Sequence, residues 1–200
     1  NRHAGLSQII IDLKRDGAKV RPIKNMAGGE DFNEVVFEDV VVPKDRIVGE
    51  AGNGWAQVTS ELAYERSGPE RFLSAFRVFV ELVRFCGPEP TQHQATVIGR
   101  IASHIMTLRR MSISVAGMLE SGKDVVVEAA LVKELGNNFE KLLPELARVV
   151  GSDGFSDFSR DGDLFRRTFE DTMLLSPSFT LRGGTREILR GVIARGLGLR

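Results

Sequence analysis

Two long helical runs separated by little more than a Ser-Gly stop limit what this chain can fold into. From about Gln92 to Leu119, Val97, Ile101, Ile105, Leu108 and Val115 recur along one side at helical spacing. Ser121-Gly122 ends that run, and Lys123 to Val150 makes the next, with a kink expected at Pro144. An earlier run extends from about Gly54 to Phe85 and stops at Gly87-Pro88-Glu89-Pro90. A last helix follows Gly183-Gly184-Thr185, with Ile188, Leu189, Val192 and Ile193 apolar. Between them, residues 151–182 read as irregular, with a short helical piece near Leu164 to Leu175. Long helices joined by short loops make an antiparallel bundle.

The first fifty residues follow a different pattern. Leu6 to Leu13 and Ala18 to Pro22 are strand candidates around the turn Arg15-Asp16-Gly17. A third covers Asn33 to Val42, is broken at Glu38-Asp39 and ends at Pro43. Three strands without a partner sheet are marginal alone, so residues 1–50 read as the end of a β-domain whose other strands lie upstream. The glycines at 49, 52 and 54 mark a linker, and residues 51–200 form the helical domain. The opening Asn-Arg-His-Ala-Gly reads as the interior of a longer polypeptide.

Composition narrows the function classes. The 27 basic and 27 acidic residues cancel, which disfavours a nucleic-acid or polyanion binder. The single cysteine, Cys86, excludes a disulfide scaffold and suits a reducing cytoplasm. No apolar run approaches the roughly 20 residues that span a bilayer. His3, His93 and His104 are too scattered to suggest a metal site.

Chemistry is best sought in Glu61-Leu-Ala-Tyr-Glu-Arg-Ser-Gly-Pro-Glu70. Trp55, Val58, Leu62, Phe72, Phe76, Phe79 and Val83 set an apolar stripe, and counting turns from Val58 and Leu62 puts Glu65 on it. Pro69 lacks the N–H that would bond the carbonyl of Glu65, so the helix should bend or loosen there. Such a carboxylate is either a structural acid paired among Arg66, Glu70 and Arg71, or a general base; spacing alone favours the structural acid. Gly183-Gly184-Thr185 is at least as readily a capped helix start as a holder of phosphate or ribityl oxygens. His93-Gln94 reads first as a surface pair and second as a ligand contact. Gly151-Ser-Asp-Gly154 is a plain turn before it is an anion nest.

In their order and spacing, GLSQIIIDLKRDGAKVRPI, FNEVVFEDVVVPKDRIVGEAGNGW and GGTREILRGVIARGLGL give the whole chain a specific resemblance. The chain resembles the second half of an acyl-CoA dehydrogenase, from the end of the middle β-domain through the C-terminal helical bundle. The resemblance implies FAD as hydride acceptor, an acyl-CoA substrate, an electron-transfer flavoprotein as partner and a homo- or heterotetramer. The family places its α-proton base at one of two positions. One precedes the last helix in Tyr-Glu-Gly-Thr, where this chain reads Arg182-Gly183-Gly184-Thr185; the other is Glu-Arg on the first helix of the domain, here Glu65-Arg66. The resemblance therefore implies Glu65 as base, as in the isovaleryl and long-chain branch. It places Arg66 and Gly183 at the substrate, and His93, Gln94, Gly184, Thr185 and Glu187 at FAD.

Two family motifs are eroded. Val83 stands where an arginine normally meets the FAD pyrophosphate, with Arg84 one residue away. Arg148-Val-Val-Gly-Ser-Asp-Gly154 replaces a Gln-x-x-Gly-Gly-x-Gly segment. Both normally serve FAD across a subunit boundary. A non-catalytic partner subunit, and an acyl-CoA oxidase or flavin monooxygenase on the same fold, are the alternative readings.

Overall fold

The computed structural model describes residues 4–151 and 160–199. The chain forms two compact units, Asn1–Leu62 and Ala63–Arg200. In the first, strands β1 (Ala18–Ile23) and β2 (Phe32–Phe37) pair antiparallel, with Val20 opposite Val35. Strand β2 stops at Phe37, before the expected break, where Asp39 adopts a left-handed φ of 52°; the expected continuation to Val42 is not strand. Leu6 to Leu13 is not a strand. It makes only isolated bridges, Leu6 to Asn53 and Ile9 to Ile47, because its neighbours at 44–54 are a 3-10 turn and bends that offer no continuous ladder.

The second unit is helical: the end of α1 (Gly54–Ser67), then α2 (Phe76–Cys86), α3 (Gln92–Glu120), α4 (Val126–Val150), α5 (Arg160–Leu175) and α6 (Arg186–Gly196). The expected bundle is present, and α4 stays helical through Pro144. The run from Gly54 to Phe85 is not one helix. It breaks into α1, a 3-10 turn at Pro69–Arg71, and α2, because Gly68-Pro69 cannot continue the hydrogen-bond ladder. The register is not carried across the break, and Trp55, Val58, Phe76 and Val83 are exposed rather than on one inward stripe.

The core lies where α2, α3, α4 and α5 meet. Val78 and Leu82 of α2, Ile101, Leu108 and Val115 of α3, Val132, Phe139 and Leu143 of α4, and Phe165 of α5 are buried there. Each such side chain contributes about 1.5–3 kcal/mol on leaving water. Phe85 stacks on Phe165 with ring centroids 5.4 Å apart, joining α2 to α5. Helix α6 is tied to α4 by Arg186 and Arg190, which both donate to Oε1 of Glu134. Among the described helices none is long and apolar enough to cross a membrane.

One glycine lets α4 approach the 3-10 turn. A Cβ on Gly136 would lie 2.3 Å from the carbonyl oxygen of Arg71, a backbone atom that cannot move aside as a side chain can. Gly136→Ala should cost about 1–3 kcal/mol of stability, in the range of overpacked cores, and urea unfolding of the two proteins measures it.

Candidate functional site

The site is built where α1 ends. The carbonyl of Glu65 has no N–H from Pro69, and Nε of Arg71 donates to it instead at 2.8 Å. The same guanidinium donates through its second nitrogen to Oε1 of Glu65 at 2.6 Å. Arg71 is buried while the Glu65 side chain stays 40% exposed. Glu65 is therefore not on the buried stripe that its spacing suggests; it is held at the edge of the core by a two-point contact.

Arg66 turns inward next to it and is 8% exposed. Its Nε donates to the carbonyl of Gly183 at 3.2 Å. Burial pushes its pKa down, and the neighbouring Glu65 carboxylate partly opposes that. The loop before α6 thus comes to lie against the end of α1. Gly183 has a φ of 69°, a conformation that side chains rarely adopt. A Cβ there would be 3.3 Å from Oε1 of Glu65, 3.3 Å from Cε of Lys133 and 3.5 Å from Cζ of Arg71. Gly183 and Glu65, 118 residues apart by subtraction of their numbers, address the same point in space.

The sequence reading missed the floor of this site. Lys133, Asn137 and Glu140 follow one another down a face of α4, and all three are fully buried. The Lys133 amine donates to Oδ1 of Asn137 at 2.5 Å and to the carbonyl of Phe179 at 3.1 Å. Glu140 accepts from the backbone N–H of Ser74 at 2.9 Å and from Arg182 at 3.3 Å. Arg182 also reaches the Ser74 hydroxyl and lies over the Phe179 ring. The signal was present in the sequence: Lys133, Asn137 and Glu140 fall at i, i+4 and i+7, on the stripe shared by Gly136, Leu143 and Ala147. Polar groups on a buried stripe must be paired.

Donors suited to an oxygen-rich ligand lie at two other helix starts. At α6, Gly184 has a φ of 105°, and Thr185 occupies the N-cap without a side-chain capping bond to the helix backbone. The Glu187 carboxyl is held below its usual range by its own backbone N–H and by the Thr185 hydroxyl. At α3, Gln94 is spent locally: it forms a capping box with Thr91, its side chain accepting from Thr91 N at 2.9 Å. The spacing Thr91-x-x-Gln94 was legible as that cap. His93 beside it is exposed. Helices α3 and α6 both pack on α4. Arg84 is engaged by Glu81 at 2.9 Å and Arg148 by Glu145 at 3.0 Å. The turn from Ser152 to Gly154 and His3 lie outside the described residues.

Comparison with known proteins now adds the family. The sequence profile of the acyl-CoA dehydrogenase C-terminal domain matches residues 52–198. The chain belongs to the acyl-CoA dehydrogenase family. It is 30% identical over 205 residues to acyl-CoA dehydrogenase IpdE1 of Mycolicibacterium smegmatis, covering 99% of this chain and 50% of that protein. With IpdE1 of Mycobacterium tuberculosis it shares 31% over 203 residues, covering 99% and 52%. The chain thus spans about half the length of the curated relatives it matches. Among solved structures, the Tcur3481-Tcur3483 steroid ACAD G363A variant shares the fold with a TM-score of 0.84 at 21% identity, covering 100% of this chain and 54% of that one. The ChsE4-ChsE5 complex from Mycobacterium tuberculosis matches with a TM-score of 0.78 at 24% identity, covering 100% and 54%.

Within this acyl-CoA dehydrogenase domain, Lys133 gives a pH signature. Burial pulls its pKa from the ordinary 10.5 down to about 8; Glu140 and Glu65 oppose the shift, while Arg71 and Arg182 add to it. Between those two values the unfolded chain holds a proton that the folded chain has released, so stability rises with pH across that window. The wild type should therefore gain stability relative to Lys133→Met as pH rises from about 8 to 10.5. Urea unfolding of both proteins through that range checks the sign.

Proposed function

We propose that the protein catalyses FAD-dependent α,β-dehydrogenation of an acyl-CoA thioester, with Glu65 as the base that takes the α-proton. One observation carries the reading. The two positions at which the family places its glutamate converge here, since a Cβ on Gly183 would touch the Glu65 carboxylate. Glycine at one and an acid at the other leave one carboxylate at that point. Arg71 fixes its Oε1, so the other oxygen is left to face an α-carbon. Arg66 supplies a buried positive charge beside it, toward the substrate, and its side chain holds the backbone carbonyl of Gly183.

The donor set fits FAD in part. Gly184, Thr185 and Glu187 at the start of α6 offer backbone N–H groups and a hydroxyl, and the absent side chain at Gly184 permits close approach. His93 and the amide nitrogen of Gln94 offer a second set at the start of α3. When bound, FAD would accept the hydride from the β-carbon. The electrons would leave to an electron-transfer flavoprotein, and the setting would be cytoplasmic.

The working form is a tetramer in this reading, built with a related but different subunit. Ile188 and Leu197 on α6 are exposed apolar residues that a partner would cover. Val83 cannot supply the guanidinium of the usual FAD contact, and Arg84 and Arg148 are held by their own helices. A partner retaining those residues would complete the sites it faces. Two of the structures sharing this fold bear names that pair two chains.

Two measurements test these statements on the protein expressed from its complete gene. Glu65→Gln keeps the size and hydrogen bonding of the side chain, so turnover should fall about 10²–10⁴-fold with substrate binding retained. Near-normal turnover would place the base elsewhere. Native mass and flavin content, measured after co-expression with neighbouring genes, should give fewer flavins than subunits. A homotetramer with one FAD per subunit would remove the heteromer.

A further inference from the structure

Glu140 is fully buried on α4, yet the proposed chemistry assigns it no task. It joins two segments that lie far apart in the chain. It accepts from the N–H of Ser74, just past the 3-10 turn, at 2.9 Å. Both its oxygens also accept from Nη2 of Arg182, on the loop before α6, at 3.3 Å. The same nitrogen donates to the Ser74 hydroxyl, and to the carbonyl of Glu70 at 3.3 Å. The Ser74 hydroxyl donates to that carbonyl too, at 2.9 Å. Glu70 immediately precedes Arg71, and Arg182 immediately precedes Gly183. Those two following residues are the ones that meet Oε1 of Glu65: Arg71 donates to it at 2.6 Å, and a Cβ on Gly183 would lie 3.3 Å from it. The turn and the loop that bound the carboxylate are therefore tied to each other one residue back along each segment.

We propose that Glu140 and Arg182 are positioning residues for Glu65, fixing the Arg71 turn against the Gly183 loop and so setting the space the carboxylate occupies. The proposal rests on the reading of Glu65 as base. Both residues act through the neighbours of the carboxylate rather than on it. Arg182 grips the turn by the Glu70 carbonyl, and its guanidinium lies over the Phe179 ring, 4.9 Å from the centroid. With Arg182 so placed, the next carbonyl, that of Gly183, lies where Nε of Arg66 reaches it. Stability does not account for the pair. Nε of Arg182 is buried without a partner among the described residues, and an unmatched buried donor is costly. A buried ion pair also gains little over well-packed neutral groups of similar volume. Position is another matter, because a displacement of about 1 Å at a reacting group costs up to about 10²-fold in rate.

The test uses the protein expressed from its complete gene. Arg182→Met combined with Glu140→Gln removes both charges together and leaves an acceptor for the Ser74 N–H, so the urea midpoint should stay near that of the wild type. A pair with a purely structural role would then leave turnover unchanged. Positioning predicts instead that kcat falls about 10–100-fold while KM changes little. Repeating the two substitutions in Glu65→Gln shows whether the effect runs through Glu65; in that background they should cost no further turnover, because residues acting as a unit are not additive. An unchanged kcat in the double variant overturns the proposal. An equal loss with and without Glu65→Gln, or a loss confined to KM, also overturns it. Full turnover in Glu65→Gln alone removes the base itself, so the two failures are distinguishable. If the double variant does not fold, Arg182→Lys decides the matter. The lysine amine keeps a positive charge beside Glu140 but ends a bond short of Nη2, away from the Glu70 carbonyl. There too kcat should fall with KM retained, and an unchanged kcat overturns the proposal.

Discussion

The architecture around the site depends on one guanidinium. A helix that meets proline four residues after a carbonyl leaves that carbonyl without its N–H. Arg71 supplies the missing donor to Glu65, and its remaining reach is used to pin the Glu65 carboxylate. Because Arg71 is buried, the contact needs a close neighbour, and Gly136 of α4 provides it by presenting no side chain to the Arg71 carbonyl. Proline, arginine and glycine thus act together: one breaks the helix, one closes its end, and one lets α4 press against the closure.

Around that contact the unit separates into an apolar core and a polar layer. The core of α2, α3, α4 and α5 supplies the free energy of burial. The polar layer, Lys133, Asn137, Glu140 and Arg182, adds little net stability, because desolvating charged groups offsets most of what their pairing gains. Its effect is geometric. Lys133 holds the Phe179 carbonyl and Glu140 holds Arg182, so both ends of the segment leading to Gly183 are fixed to α4. A carboxylate held on one side by Arg71 and backed by a loop fixed at two points has few alternative positions, as the proposed role as a base would require.

Much of this was legible in the sequence. Helical periodicity placed α3 and α4 to within a few residues, because their apolar positions pack on one core and repeat at one spacing. The order of motifs gave the family. The single-helix reading of Gly54 to Phe85 failed because periodicity was carried across Gly68-Pro69, where the register is lost. Leu6 to Leu13 has the composition of a strand, but a strand exists only where a neighbour offers a matching ladder.

Local physics in the sequence alone determined where helices start and stop, that Pro69 leaves a carbonyl unpaired, and that position 183 carries no acid. Tertiary structure decided the rest. It brought Gly183 against Glu65, made Arg71 the partner of both the Glu65 carbonyl and its carboxylate, and brought Lys133 against the same glycine. These are contacts between segments that lie far apart in the chain or across a break in helical register. No periodicity within one element specifies them; they exist because α4 supplies a single buried face against which the broken helix and the glycine loop both pack.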